Sequence, residues 1–304
     1  MNDIAIQVRD FRKTYGETVA VDGISFEVRR GEIFGLLGPN GAGKTSTLEC
    51  LEGLRQADGG ALDILGVDPA RQARKLRHLI GVQLQSSGLP ADMQVGEAIR
   101  FFCAYHGVAP RFDLIERLGL QAKQRSTYAQ LSTGQQRRLA LALAVAHHPP
   151  VIFLDEPTAG LDVGSRAELH ALVQELRDAG ATIILATHDM AEAEKMTDRV
   201  AILLRGKIVA AGAPREITAT GAGFTKVLVR TEQSALHRNG AAFPGVSHHL
   251  LDEAYAIYFS ADPGATVTAL LHYIAARDDA LIDLRVERPT LEERFLEITT
   301  EVSK

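Results

Sequence analysis

Apolar residues change their spacing several times along the chain, and each change predicts an element. Residues 4–35 alternate apolar and polar and are rich in Val, Ile and Phe, as a small antiparallel sheet with one buried face requires. That sheet is expected to end in the strand that enters a glycine-rich turn at residues 38–45. Across 86–150 the spacing lengthens to that of helices: Val95, Ile99, Phe102 and Cys103 share one face, as do Leu139, Leu143 and Ala146. After Pro149 and Pro150 short apolar runs return at 151–154, 182–186 and 200–204, separated by helical stretches. Strands alternating with helices predict a mainly parallel sheet with crossover connections.

The turn-rich stretch 212–223 predicts a boundary between a domain at 1–220 and an accessory domain at 225–304. Beyond it Val227 and Val229 alternate in one strand, and 254–259 forms another. A helix at 263–277 is expected to bury Val267, Leu270, Leu271 and Ile274 on one face. A strand at 281–287 follows. The closing helix opens on a capping box of Thr290 and Glu293, with Leu291, Phe295 and Ile298 on one side. This tail reads as a small α+β unit without a catalytic pattern.

The candidate chemistry begins at EIFGLLGPNGAGKTSTLECLEGL, residues 32–54, an apolar strand, a glycine turn and a helix. Gly38, Gly43, Lys44 and Thr45 fit G-x-x-x-x-G-K-[ST]. Gly38, Gly41 and Gly43 let the backbone curl so that successive N–H groups face phosphate oxygens, and the helix adds its positive dipole end. Lys44 can reach the outer phosphates and the Thr45 hydroxyl can sit on Mg²⁺. VIFLDE, ending in Asp155 and Glu156, reads as a buried strand leading its acids to the sheet edge beside that turn. Asp155 there would hold Mg²⁺ through water and Glu156 would orient an attacking water; an acidic turn is the plain alternative. In LSTGQQRR, Ser132 and Gly134 offer a second anion site at a helix start, or an ordinary helix cap. Gln85 and His188 each follow an apolar strand, where such sheets bind ligands and where structural side chains are also common.

Composition narrows the function. The chain has 304 residues, 46% hydrophobic and 23% charged, enough for one large domain or two ordinary ones. A net charge of -5 gives no basic surface for broad nucleic-acid binding. The longest apolar stretch, 139–146, is about half of what a bilayer needs, and no signal-peptide pattern opens the sequence. Cys50 and Cys103 stand far apart in apolar helical contexts and are expected to be core residues in a reducing cytosol. The adjacent pairs His147-His148 and His248-His249 lack neighbouring ligands at metal spacing. The charges of residues 71–77 read as a solvated helix face.

GPNGAGKT, Gln85, LSTGQ, VIFLDEPTAGLD and His188, in that order, resemble the nucleotide-binding subunit of an ATP-binding-cassette transporter. The likeness covers about residues 3–220, and LSTGQ just before the Asp-Glu strand sets this family apart from other phosphate-loop proteins. Thr133 stands where the family more often has Gly. RPTLEERFLEIT in the tail and GVQLQSSGLP are similar to the daunorubicin-resistance type, a drug or lipid exporter. The resemblance implies an α/β fold: a P-loop NTPase core with a RecA-like mainly parallel sheet and a small antiparallel sheet, an inserted helical subdomain at about 86–150, and a C-terminal α+β appendix.

It also implies two such subunits, identical or close paralogues, meeting head to tail with two ATP molecules between them. The loop Gly38, Pro39, Asn40, Gly41, Ala42, Gly43, Lys44, Thr45 and Ser46 would hold the phosphates. Thr45, Gln85 and Asp155 would hold Mg²⁺, Glu156 would position the attacking water, and His188 would touch the γ phosphate. Ser132 and Gly134 would act on the partner's ATP, Asp162 would couple the two sites, and Tyr15 would stack on adenine or else be a sheet-surface residue. An integral membrane permease would dock on residues 86–106, with Leu89, Met93, Phe101 and Phe102 offering apolar contacts or filling the subdomain's own core. The chain would lie at the cytoplasmic face of a membrane, bound through that partner. A soluble cassette ATPase acting on ribosomes or nucleic acid, and an importer subunit, are the competing readings.

Overall fold

The computed structural model describes residues 3–84, 88–219, 224–234, 236, 242–252 and 254–302. The chain divides into two compact units, Met1–Pro214 and Arg215–Lys304. In the first, β1 (Ile4–Tyr15) and β2 (Thr18–Arg29) pair antiparallel, then β3 (Ile33–Leu37) leads through the glycine turn into α1 (Lys44–Leu51). A further strand, β4 (Gly59–Ile64), pairs with β1 and completes a three-stranded sheet, β2-β1-β4. One expectation is corrected here and one strand is new. β3 belongs to the other sheet, because all five of its residues are buried and it has no polar face to show to solvent. β4 was not expected, since GGALDI opens on two glycines and is mostly half-exposed.

The main sheet takes the order β5-β6-β7-β3-β8-β9. After α2 (Ala73–Leu76) come β5 (Ile80–Gln83), α3 (Val95–Tyr105), α4 (Phe112–Arg117) and α5 (Thr133–Val145). Then follow β6 (Val151–Asp155), α6 (Val163–Asp178), β7 (Thr182–Thr187), α7 (Met190–Met196), β8 (Arg199–Leu204) and β9 (Lys207–Gly212). All pairs are parallel except β8 with β9. The strand residues sort by alternation onto two cores. Ile152 and Leu154 of β6 pack with residues of α3, α5 and α6, whereas Val151 and Phe153 pack with β1, β2 and α1. Cys50 and Cys103 are buried, one in each core. Leu89, Met93 and Phe102 pack against the helical core, while Phe101 is exposed.

The second unit opens within α8 (Pro214–Ala219) and is built on an antiparallel sheet, order β11-β12-β10-β13. Its elements are β10 (Thr225–Thr231), β11 (Val246–Leu251), β12 (Ala256–Ser260), α9 (Pro263–Ala275), β13 (Leu281–Glu287) and α10 (Leu291–Val302). Leu270 and Ile274 of α9 pack on Val227, Val229 and Tyr258. Leu271 departs from expectation and is 41% exposed, because the buried stripe follows Val267, Leu270 and Ile274 and leaves it on the flank. Thr290 and Glu293 form the expected reciprocal cap of α10.

One close approach sets where the helical insertion meets the main sheet. A Cβ on Gly81 of β5 would stand 2.1 Å from the Ala144 carbonyl oxygen of α5 and 2.8 Å from the Pro149 ring. Gly81→Ala is therefore expected to destabilise the first unit by about 1–3 kcal/mol. The urea midpoint reads this, and an unchanged midpoint would refute the contact.

Candidate functional site

The glycine turn is shaped by two contacts that admit no side chain. Gly38 has φ +149°, and a Cβ there would lie 2.2 Å from the Leu203 carbonyl oxygen. Gly43 has φ +105°, with the Ala20 carbonyl oxygen 2.5 Å from its would-be Cβ. Pro39, Asn40 and Gly41 form the exposed crest between them. Lys44 starts α1 and is buried; its Nζ donates to the carbonyls of Gly38 (2.7 Å) and Pro39 (3.2 Å) and lies 3.9 Å from Glu156 Oε1. Burial pushes the Lys44 amine below its ordinary pKa, opposed by Glu156 and Asp155.

β6 delivers two buried acids to this loop. The Thr45 hydroxyl donates to Asp155 Oδ2 at 3.2 Å. Burial raises the Asp155 pKa, against the Thr45 hydrogen bond. Asp155 Oδ1 is buried and has no hydrogen-bond partner among the described residues. A carboxylate oxygen with an open coordination position, next to a hydroxyl at a phosphate loop, fits a divalent cation with oxygen ligands. Gln85, the third expected ligand, falls outside the described residues.

Glu156 follows in a left-handed conformation, φ +49°. Its N–H donates to the Ala186 carbonyl at 2.9 Å, and its side-chain Oε1 lies 2.8 Å from His188 Nδ1. Its own carbonyl accepts from Arg137 Nη1 at 2.7 Å. Arg137 lies in the LSTGQQRR segment, yet it was assigned no role from sequence, because a backbone acceptor leaves no residue-type signal.

Lys44, Thr45, Asp155, Glu156 and His188 are thus brought together where β3, β6 and β7 end. Among the described residues, Ser132, Gly134, Asp162 and Tyr15 are not joined to them. Exposed Ser132 caps α5 in a reciprocal box with Gln135, Gln135 N to Ser132 Oγ at 3.3 Å and Ser132 N to Gln135 Oε1 at 3.0 Å. Gly134 follows within the first turn of that helix. Asp162 caps α6, accepting from Ser165 N (2.9 Å) and Ser165 Oγ (2.7 Å), which hold its carboxyl below the usual range. Tyr15 is exposed at the end of β1, with Lys13 Nζ 5.3 Å and the Arg55 guanidinium 5.5 Å from its ring centre.

A groove of about 350 Å³ opens beside β5, the edge strand of the main sheet. Leu54, Leu84, Phe102 and Tyr105 give it apolar walls, and His106 and His147 stack with ring centres 3.7 Å apart. Burial lowers the His147 pKa to about 4. Glu52, at the end of α1, lines the same groove and is 6% exposed. Burial, with Asp155 and Glu49 nearby, pushes its carboxyl up to about 8. Sequence reading missed Glu52, because an acid at a helix end ordinarily reads as solvated.

Two predictions follow from this geometry. Arg137→Ala releases the carbonyl that fixes the Glu156 turn while leaving the phosphate loop untouched. It should lower turnover by tenfold or more, on the order of 1.4 kcal/mol, with ATP affinity unchanged by calorimetry; an equal loss of affinity would contradict it. The second concerns pH. Glu52 titrates at 4.5 in an open chain and at about 8 in the fold, so between those values the native state binds the extra proton. Its contribution to stability is whole below pH 4.5 and is lost as pH rises through about 8, at up to about 1.4 kcal/mol per pH unit. Unfolding free energy should fall from pH 5 to pH 8, and Glu52→Gln should flatten that slope.

Residues 21–159 match the family described as ABC transporter. The chain is 35% identical to the daunorubicin resistance ATP-binding protein DrrA3 of Streptomyces coeruleorubidus, across 98% of this chain and 97% of that protein. It is 38% identical to the Nod factor export ATP-binding protein I of Burkholderia lata, across 92% of this chain and 96% of that one. A solved structure of the ATP binding subunit of an ABC transporter superposes with a TM-score of 0.67 at 28% identity, covering 71% of this chain and 92% of its own. A nucleotide-free ATP-binding cassette, 24% identical, shares the fold with a TM-score of 0.61. Together with the phosphate loop and the acids of β6, these likenesses make the chain a member of the ABC transporter ATP-binding family, of the daunorubicin-resistance type.

Proposed function

We propose that this chain is the ATP-binding and ATP-hydrolysing subunit of a membrane exporter, driving a separate permease. The observation that carries this reading is the joining of Lys44, Thr45, Asp155, Glu156 and His188 at one sheet edge. The backbone of residues 41–46 and the Lys44 amine hold the phosphates; the amine is already turned to the loop, where it meets carbonyls instead. Thr45 and Asp155, with Gln85 as the family resemblance implies, would hold Mg²⁺, which would neutralise charge on the phosphates. Glu156 takes or orients the proton of the attacking water, and His188, at 2.8 Å from its carboxylate, keeps it aimed and meets the γ phosphate. Catalysis is then positioning and charge neutralisation, with no covalent step for the protein.

Among the described residues, exposed Ser132 uses its side chain only in its own helix cap. That supports a site completed by a second ATP-binding subunit, with Ser132 and Gly134 of each copy facing the other's ATP, Asp162 linking the two sites and Tyr15 stacking on adenine. Relatives named for daunorubicin resistance and for Nod factor export support the outward direction. No helix among the described residues is long and apolar enough to cross a membrane. In this reading the permease supplies the path and the chain binds at its cytoplasmic side through the segment 86–106.

Two substitutions test the assignment in the assembled complex. Glu156→Gln should keep ATP binding and cut turnover by about 10²–10⁴-fold. Lys44→Ala should weaken ATP binding itself, measured by calorimetry. Turnover at the unaltered rate in the first, or unchanged affinity in the second, removes that residue from its role.

A further inference from the structure

The turn that carries His188 is braced from behind by a buried acid. Glu192 stands in the first turn of α7, and its side chain is 1% exposed. Both of its carboxylate oxygens are engaged. Oε1 lies 2.9 Å from His170 Nε2, and Oε2 accepts from the Thr187 hydroxyl at 3.2 Å. That hydroxyl in turn accepts from the Asp189 N–H at 3.0 Å, so the residues on either side of His188 are tied to one oxygen atom. A hydroxyl has a single proton, and here it goes to Glu192, because a carboxylate only accepts. Asp189 closes the turn by accepting from the Glu192 N–H at 2.9 Å. The far end of the brace is on α6: Leu169, Leu172 and Val173, around His170, are buried in the helical core, so His170 is carried by a fixed element. Arg166, one turn earlier on the same helix, lies 3.6 Å from Asp189.

A buried acid with polar partners is weak ground for stability, since apolar residues of similar volume often do as well. What a fully satisfied network supplies is a single fixed geometry. His188 has a use for that. Its side chain is 57% exposed, and its one hydrogen bond among the described residues is to Glu156 Oε1 at 2.8 Å. Packing does not hold a ring so exposed, so its direction is set by the backbone of residues 187–189. We propose that Glu192 is a positioning residue for ATP hydrolysis. Through the Thr187 hydroxyl it fixes the backbone that aims His188 at Glu156, and through His170 it anchors that aim to α6. This rests on the reading of Glu156 and His188 given above and adds the part that holds them in register. Without the brace the ring loses its fixed direction, and the Glu156 carboxylate loses the contact that keeps it aimed at the attacking water.

The test uses the full chain in its complex and reads turnover against ATP affinity. Thr187→Val keeps the side-chain volume and removes the hydroxyl. It should lower kcat about tenfold or more with ATP affinity by calorimetry unchanged. Thr187→Ser returns the hydroxyl and should restore most of the turnover. Glu192→Ala should show the same split as Thr187→Val. A role in holding the fold alone would lower the urea midpoint of these variants and leave the kcat of the folded protein as it was. His188→Ala supplies the background that separates the two roles. A residue that acts through His188 has nothing left to position there, so adding Thr187→Val should cost no further turnover. A full additional loss in that background overturns the proposal. So does an unchanged kcat in Thr187→Val and Glu192→Ala, or a Thr187→Ser variant as slow as Thr187→Val. If His188→Ala itself turns over at the unaltered rate, the reading of the site on which the proposal rests has failed.

Discussion

The left-handed turn at Glu156 is the constraint around which the site is organised. A residue with a Cβ adopts that conformation at a cost of about 1–2 kcal/mol. It persists here because three elements grip the one residue: β7 accepts its N–H through Ala186, α5 supplies Arg137 to its carbonyl, and His188 meets its carboxylate. The strand would otherwise carry Glu156 straight on past the sheet edge. The turn instead brings its side chain back to within 3.9 Å of Lys44, over the phosphate loop. Because Arg137 lies on the helical insertion, a shift of α5 relative to the sheet must act on the Glu156 backbone. A hydrogen bond of 2.7 Å is short-ranged, so the turn loses its clamp over a small displacement.

The phosphate loop was legible from sequence because its chemistry is written in residue types. Only glycine fits at Gly38 and Gly43, where carbonyls of β8 and β2 close in, and a Lys-Thr pair must open the helix. The parallel strands were legible because double-sided burial leaves continuous apolar runs, as in β6 and β7. The same rule should have moved β3 out of the antiparallel sheet, since IFGLL has no alternation. β4 and β11 escaped notice for the opposite reason. GGALDI and VSHHLL gain their strand character from pairing with β1 and β12, and their side chains are mostly half-buried or exposed. Arg137 and Glu52 were invisible for different reasons again. One acts on a carbonyl, and the other is buried only because α1 ends against the edge of the sheet.

The domain boundary shows how far composition alone carries. The small-residue stretch 212–223 reads as a boundary, and the chain separates into the units Met1–Pro214 and Arg215–Lys304. What composition could not give is that the second unit has its own buried polar network. The hydroxyls of Ser260 and Thr266 share a hydrogen bond of 2.6 Å, and Thr266 also donates to the Pro244 carbonyl. With Val227, Val229 and Tyr258 packed under α9, that unit has a core and satisfied polar groups of its own.

Asp155 and Glu52 make an instructive pair. Both are buried carboxylates carrying oxygens without partners among the described residues, and both lie near the end of β6 or the helix facing it. A self-contained fold would have replaced them, since an apolar residue of similar size is often more stabilising than a buried charge. The open Asp155 oxygen is intelligible if its partner is a cation from outside the chain, whereas burial keeps Glu52 in its neutral, protonated form up to about pH 8. Anything that binds the native state and not the unfolded one adds to its stability by mass action. A cation bound at Asp155 would stabilise the native state in this way. The two acids also sense each other, because Asp155 is among the charges that raise the Glu52 pKa.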